Sequence, residues 1–187
     1  MACNLTLGRK EPCKDVVGGI KAVYFADFGT FSTLAYDNTD TDVIDTLGSS
    51  LTVRQYDVKG NSSFEQNITA SRENGTTFFE QTLNLTLHKL TKEDNKELKL
   101  MAYGRPHVIV EDYNKNLFVM GLENGADVSG GTIVTGAAMG DLSGYTLTLS
   151  GMEKVPANFI EKAAATETIV TTLTNAGIST ITAGTNS

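Results

Sequence analysis

The stretch from Ser62 to His88, SSFEQNITASRENGTTFFEQTLNLTLH, decides how this chain folds. At its centre stands Asn74-Gly75, the dipeptide suited to a type I′ turn, in which both central residues need φ > 0. With those two as the turn, the pairs are Glu73 with Thr76, Ala70 with Phe79, Ile68 with Gln81, Gln66 with Leu83 and Phe64 with Leu85. That face is mostly apolar. The alternate set, Ser71/Phe78, Thr69/Glu80, Asn67/Thr82 and Glu65/Asn84, is small and polar apart from one Phe. A turn signal and a period-2 pattern therefore agree on one hairpin. Each arm is about twelve residues, or about 40 Å at roughly 3.3 Å per residue, against the usual strand of about 5–6 residues. One long face, uniformly wet, asks for an architectural reason.

Composition sets the frame. The 187 residues are 40% hydrophobic, with no Trp and few aromatics. Abundant Thr, Gly, Asn and Ser point to β structure with many turns. A net charge of −7 argues against tight binding of nucleic acid through its phosphates. The opening Met1-Ala2-Cys3-Asn4 has no basic segment followed by an apolar run, so no signal peptide is expected. No window approaches the length of a membrane span. Cys3 and Cys13 are expected as reduced thiols rather than a disulfide. The Asn-x-Ser/Thr sequons follow from a chain rich in Asn and Thr.

Around the hairpin, residues 1–16 are expected as an irregular N-terminal arm. Strands are expected over Ile20–Ala26, from Phe31 to Tyr36, over Val43–Leu47 and over Leu51–Val58. The apolar phase shifts between Val53 and Tyr56, which predicts a bulge near Arg54-Gln55. Thr91-Lys92-Glu93-Asp94 starts a helix with Thr91 as N-cap, ending by Tyr103 before Gly104 and Pro106. A second hairpin pairs His107–Asp112 with Leu117–Leu122. A Gly-rich stretch, Gly125 to Gly140, leads into the alternating strand Tyr145–Ser150. Residues 157–165 could hold a helical turn or two. From Thr168 on there is no charged residue, and the tail reads as extended. The sum is an all-β fold, an antiparallel β-sandwich or barrel with one flanking helix.

Chemistry is sparse. His88, His107, Cys3 and Cys13 show no metal-ligand spacing, and both histidines read as ordinary surface or edge residues. There is no Gly-x-Ser-x-Gly elbow. The glycine runs lack the Lys-Ser/Thr of a phosphate loop. Glu111 and Asp112, adjacent on a strand, point to opposite faces and cannot act as a pair. No enzymatic activity and no cofactor or metal are expected.

The segment Arg105–Phe159, RPHVIVEDYNKNLFVMGLENGADVSGGTIVTGAAMGDLSGYTLTLSGMEKVPANF, resembles structural proteins of tailed bacteriophages, in particular tail-tube-like proteins. The likeness lies in Gly121-Leu122-Glu123-Asn124-Gly125, Gly131-Thr132, Gly136-Ala137-Ala138-Met139-Gly140-Asp141, Gly144 to Leu149 and Pro156-Ala157. It covers about a third of the chain closely, and the rest by order of elements. It implies subunits in rings, usually hexameric and stacked, whose long strands line a channel for genome ejection. On that reading Glu65, Asn67, Thr69, Glu80, Thr82, Asn84 and Thr86 would face the lumen. DNA would pass without specific binding, and other tail or connector proteins would be partners. Localisation would be the virion, assembled in a bacterial cytoplasm. Residues 17–165 would form the tube-like domain. Residues 166–187 would be an extended arm or terminal strand, with Ile169, Val170, Leu173, Ile178 and Ile181 reaching a neighbouring subunit. The competing expectations are a monomeric β-sandwich binding or adhesin module, and a small enzyme.

Overall fold

The computed structural model describes residues 8–9, 14–59, 61–162 and 167–184. The calls on Cys3 and Cys13, and on most of the N-terminal arm, lie outside these residues. In chain order the elements are β1 (Ile20–Ala26), β2 (Ala35–Tyr36), β3 (Val43–Thr46), β4 (Leu51–Asp57), β5 (Ser63–Ser71), β6 (Thr76–His88), α1 (Lys92–Tyr103), β7 (His107–Asp112), β8 (Leu117–Met120), β9 (Asp127–Val134), β10 (Gly144–Glu153), β11 (Asn158–Ile160), α2 (Ile169–Asn175) and β12 (Ile178–Ala183). They make an eight-stranded sheet ordered β12-β4-β1-β7-β8-β11-β3-β2 and a four-stranded sheet ordered β5-β6-β10-β9. Most neighbours are antiparallel, while β11–β3 and β12–β4 are parallel.

The eight-stranded sheet rolls on itself. One core collects Tyr24, Ile44, Val53, Ile109, Val119, Ile160, Leu173 and Ile178 from nearly every strand of that sheet and from α2. The residues before β12 reach the far side of the sheet, where Leu47 N–H, just after β3, donates to Ala176 O at 2.9 Å, while Leu51 N–H donates to Gly177 O at 3.0 Å at the start of the β4–β12 pair. A second core, with Val23, Phe25, Leu83, Leu85, Val110, Met120 and Leu149, lies between the two sheets. β1 is buried at six of its seven positions because it has apolar cores on both faces.

That double burial corrects the expected bulge at Arg54-Gln55. β4 pairs with β1 in regular register through both residues. Val53 packs in one core and Tyr56 against the other, so the phase shift records a two-sided strand. Helix α1 is as expected: the Thr91 side chain accepts from Asp94 N–H, and Gly104 caps the end. Residues Asn158–Ile160 are a strand, where a helical turn was considered. The stretch Gly125 to Gly140 contains β9, which its glycines concealed.

The C-terminal segment is corrected as well. It is a helix and a parallel strand beside β4. Leu173 and Ile178 are fully buried in the chain's own core, Ile169 and Ile181 pack against it, and only Val170 is largely exposed. An uncharged tail of Thr, Ala and spaced aliphatics is what a segment packed onto the chain's own core needs. The terminal-strand alternative, not the reaching arm, describes it.

Two polar knots stiffen the frame. Buried Glu111 accepts from Tyr24 Oη at 2.7 Å and from Lys21 Nζ at 2.6 Å, which compensates a charge otherwise costly to bury. Burial, then Glu111, pushes the Tyr24 hydroxyl far above the usual range. His107 is no surface residue but is 3% exposed, stacked between Phe28 and Phe31. Its Nε2 accepts from Gly29 N–H at 3.0 Å and its Nδ1 donates to Gly121 O at 2.6 Å. Both nitrogens are thus used by a neutral ring, and burial lowers its pKa.

Candidate functional site: the outer face of the four-stranded sheet

The hairpin forms as expected, with a shifted register. Ser71 pairs with Thr76, Ile68 with Phe79, Gln66 with Gln81 and Phe64 with Leu83, two residues from the expected pairs. The loop is the four residues Arg72-Glu73-Asn74-Gly75, in which Gly75 has φ 63 and Asn74 does not have positive φ. This corrects the type I′ turn. Four-residue loops are commonly built on a type I turn, with a final residue in the left-handed region. The Ser71 hydroxyl accepts Asn74 N–H at 3.3 Å, which stabilises that alternative. Because the shift is even, every side chain keeps its face.

The inner face is therefore the apolar one. Gln81, Leu83 and Leu85 are fully buried. The polar members of this face tie the two sheets together. Gln81 Oε1 accepts Gly121 N–H at 2.9 Å, and Gln66 Oε1 accepts Ala157 N–H at 2.7 Å. Glu153, at the end of β10, accepts Glu123 and Asn124 N–H at 3.0 and 2.8 Å, fixing the turn after β8. Its burial pushes the carboxyl above the usual range.

The outer face gathers all seven residues singled out in the sequence. Glu65 faces Thr82 and Asn67 faces Glu80; Thr69, Asn84 and Thr86 continue the same side of the two strands. Sequence reasoning missed the other half of this face. β10 runs alongside β6 and sets Thr146 beside Thr86, Thr148 beside Asn84, Ser150 beside Thr82 and Met152 beside Glu80. β9 then adds Thr132 beside Thr146 and Asp127 beside Ser150. The signal was there: Thr146-Leu147-Thr148-Leu149-Ser150 repeats the alternation of Thr82-Leu83-Asn84-Leu85-Thr86.

Hydroxyls and amides on this face bond laterally. Thr148 Oγ1 donates to Asn84 Oδ1 at 2.9 Å, and Thr132 and Thr146 hydroxyls lie 2.6 Å apart. No strand of this sheet contains Lys or Arg, in a chain that has 15. The outer face carries Glu65, Glu80 and Asp127 as its carboxylates. Such a surface offers hydrogen bonds and mild negative charge, and no Lys or Arg of its strands to pair with a phosphate.

Among the described residues no strand pairs with the outer edge of β5 or of β9. β5 and β9 lack Lys and Pro, devices that normally blunt an exposed edge. β9 carries one bulge opposite Thr148–Leu149. Past Phe79 the hairpin outruns β10 and continues as two strands only; Ile68, on edge strand β5 opposite Phe79, is 69% exposed.

Among the described residues no three His, Cys, Asp or Glu side chains gather as a metal-binding group. No described helix is long and apolar enough to cross a membrane. Compared with protein families, curated proteins and solved structures, the chain matches none.

Proposed function

We propose that this chain is a structural subunit of a phage-tail-like tube or ring, whose four-stranded sheet lines a channel through which DNA passes. The observation that carries the reading is the cation-free outer face of that sheet. Duplex DNA bears a negative charge about every 1.7 Å along its axis, and a wall of Lys and Arg would hold it. A wall of Thr, Asn and Ser with scattered carboxylates lets it slide.

The open edges support the assembly half of the proposal. In a four-stranded antiparallel sheet the two edge strands run in opposite directions. A cyclic, head-to-tail ring would therefore bring β5 of one copy antiparallel to β9 of the next. About six copies would supply roughly twenty-four strands; at about 4.8 Å spacing and about 40° tilt, the circumference is roughly 150 Å. With side chains reaching inward about 5 Å, the channel would be roughly 35–40 Å wide, ample for a duplex.

The test is sedimentation of the purified chain over a range of concentrations, with electron microscopy of the heaviest species. Annular particles of one fixed mass, or stacks of them, are the expected result. A monomer at every concentration would favour a solitary binding module instead.

A further inference from the structure

The tripeptide Glu-Asn-Gly occurs twice, at Glu73-Asn74-Gly75 in the tip loop of the hairpin and at Glu123-Asn124-Gly125 in the turn after β8. Asn followed by Gly carries its own chemistry. The side-chain amide lies one ring closure from the next backbone nitrogen, and Gly puts no side chain in the way. With the same residue on either side of the asparagine, the two copies start with matched local reactivity. What differs is the structure around them.

The second copy is tied down. Asn124 N–H donates to Glu153 Oε1 at 2.8 Å, and its side-chain amide donates to Met152 O at 2.8 Å and to Glu153 Oε2 at 3.4 Å. Gly125 N–H, the group that would attack, donates to Gly121 O at 3.1 Å. Gly125 is itself buried, and a Cβ on it would stand 2.7 Å from the Arg105 carbonyl. Freeing this nitrogen means opening the turn and stripping the N–H donors from buried Glu153, a loss of charge-assisted bonds.

The first copy has none of this. Residues 72–75 are exposed and close a ribbon that beyond Phe79 has no third strand. Among the described residues, neither the Asn74 side-chain amide nor Gly75 N–H has a hydrogen-bond partner, and the space beside the Gly75 Cα is open. An exposed two-stranded tip opens locally far more cheaply than a packed turn.

We infer that Asn74 is a site of spontaneous backbone modification and that Asn124 is not. The Gly75 nitrogen gives up its proton to solvent base and bonds to Asn74 Cγ. The Cγ–Nδ2 bond breaks, and the side-chain nitrogen takes a proton from solvent and leaves as ammonia, closing a five-membered succinimide. Water then adds to one of the two ring carbonyls and breaks its bond to the Gly75 nitrogen. Opening at Cγ gives aspartate. Opening at the α-carbonyl gives isoaspartate, in which the main chain runs through the former side chain and is one carbon longer. No electrons are gained or lost, and the co-reactant is water. Either product places a new carboxylate beside Glu73, in a loop whose cation is Arg72. The reaction belongs to the single chain and does not depend on the ring reading above.

The experiment ages the folded chain in mildly alkaline buffer at physiological temperature, with a urea-unfolded sample beside it. Peptide mapping with tandem mass spectrometry follows both asparagines. In the folded chain Asn74 is expected to convert at least about tenfold faster than Asn124, while in urea the two rates fall within about threefold of each other. Asn74→Gln is expected to remove the modification from the tip peptide, because its ring would need one more atom. A folded Asn74 that stays intact while the urea sample reacts, or that converts no faster than Asn124, overturns the inference. So does a tip peptide whose mass gain survives Asn74→Gln at the wild-type rate. Selectivity as large in urea as in the folded chain would assign it to sequence alone and overturn it too.

Discussion

The two sheets handle their faces differently. The eight-stranded sheet is apolar on both sides at its centre: along β1, Val23 and Phe25 enter one core while Ala22, Tyr24 and Ala26 enter the other. The four-stranded sheet is apolar on one side only, with Leu83 and Leu85 buried and Thr82, Asn84 and Thr86 turned outward. A chain able to cover both faces at the centre of its larger sheet leaves one face of its smaller sheet wet across four strands. On the reading proposed above, the second sheet's outer face is the working surface, while its inner face helps build the core it shares with the first sheet.

The sharpest way to break the contrast is to cut into the rolled sheet. Leu173→Ala, in the C-terminal segment buried against the rolled sheet, is expected to cost about 2–5 kcal/mol in chemical denaturation. Gly177→Ala should be comparably severe, because a Cβ there collides with the backbone carbonyl of Gly48 at φ +96. Wild-type stability in either variant would return the C-terminal segment to the role of a reaching arm.

A smaller effect concerns His107. Its folded-state pKa lies below the usual value of 6.5, because burial disfavours the charged ring. As pH falls through about 6.5, the unfolded chain takes up a proton that the folded chain refuses. Stability from this group should therefore decline with falling pH, by at most about 1.4 kcal/mol per unit. NMR titration of the imidazole checks it, and a pKa at or above 6.5 would contradict the clamp described for this ring.

The hairpin turn gives a finer test. Gly75→Ala should cost about 1 kcal/mol, and Asn74→Ala less than about 0.5, because only Gly75 has positive φ. Equal costs at both positions would restore a two-residue turn. A small effect per residue is expected on the wet face. Changing Asn67, Thr69, Thr82 and Asn84 together to Lys should cost roughly 2–3 kcal/mol, since exposed substitutions rarely exceed about 0.5 each and half-buried Asn84 also loses its bond from Thr148. The same variant should gain salt-sensitive DNA binding that wild type lacks, measured by fluorescence anisotropy. Unfolding of this variant would show that the face is part of a core.

Much of this architecture was legible. The hairpin's two faces, strand β1 and helix α1 with its Thr91 cap followed from turn chemistry, alternation and capping, which are local. The register was two residues out because Asn-Gly also suits the end of a four-residue loop, and the preference for Gly75 alone is invisible in sequence. Strand β9 hid behind Gly130 and Gly131. At Gly131 an added Cβ would strike the Thr146 carbonyl, so close approach to β10 accounts for one of these residues that read as loop. The C-terminal helix and strand were read as an arm because the sealing partners, Leu47 and Leu51, lie more than a hundred residues away. Half of the wet face went unplaced for the same reason: alternation reveals a strand, and only topology says that β10 lies beside β6.

The central claim, that the four-stranded sheet forms the wall of a channel, is tested most directly by a cryo-electron-microscopy reconstruction of the assembled chain. The account predicts a ring whose inner surface is a continuous β wall, with β5 of each copy beside β9 of the next and Thr82, Asn84, Thr148 and Ser150 facing the lumen. A ring lined by the eight-stranded sheet, or one with this face turned outward, would contradict it.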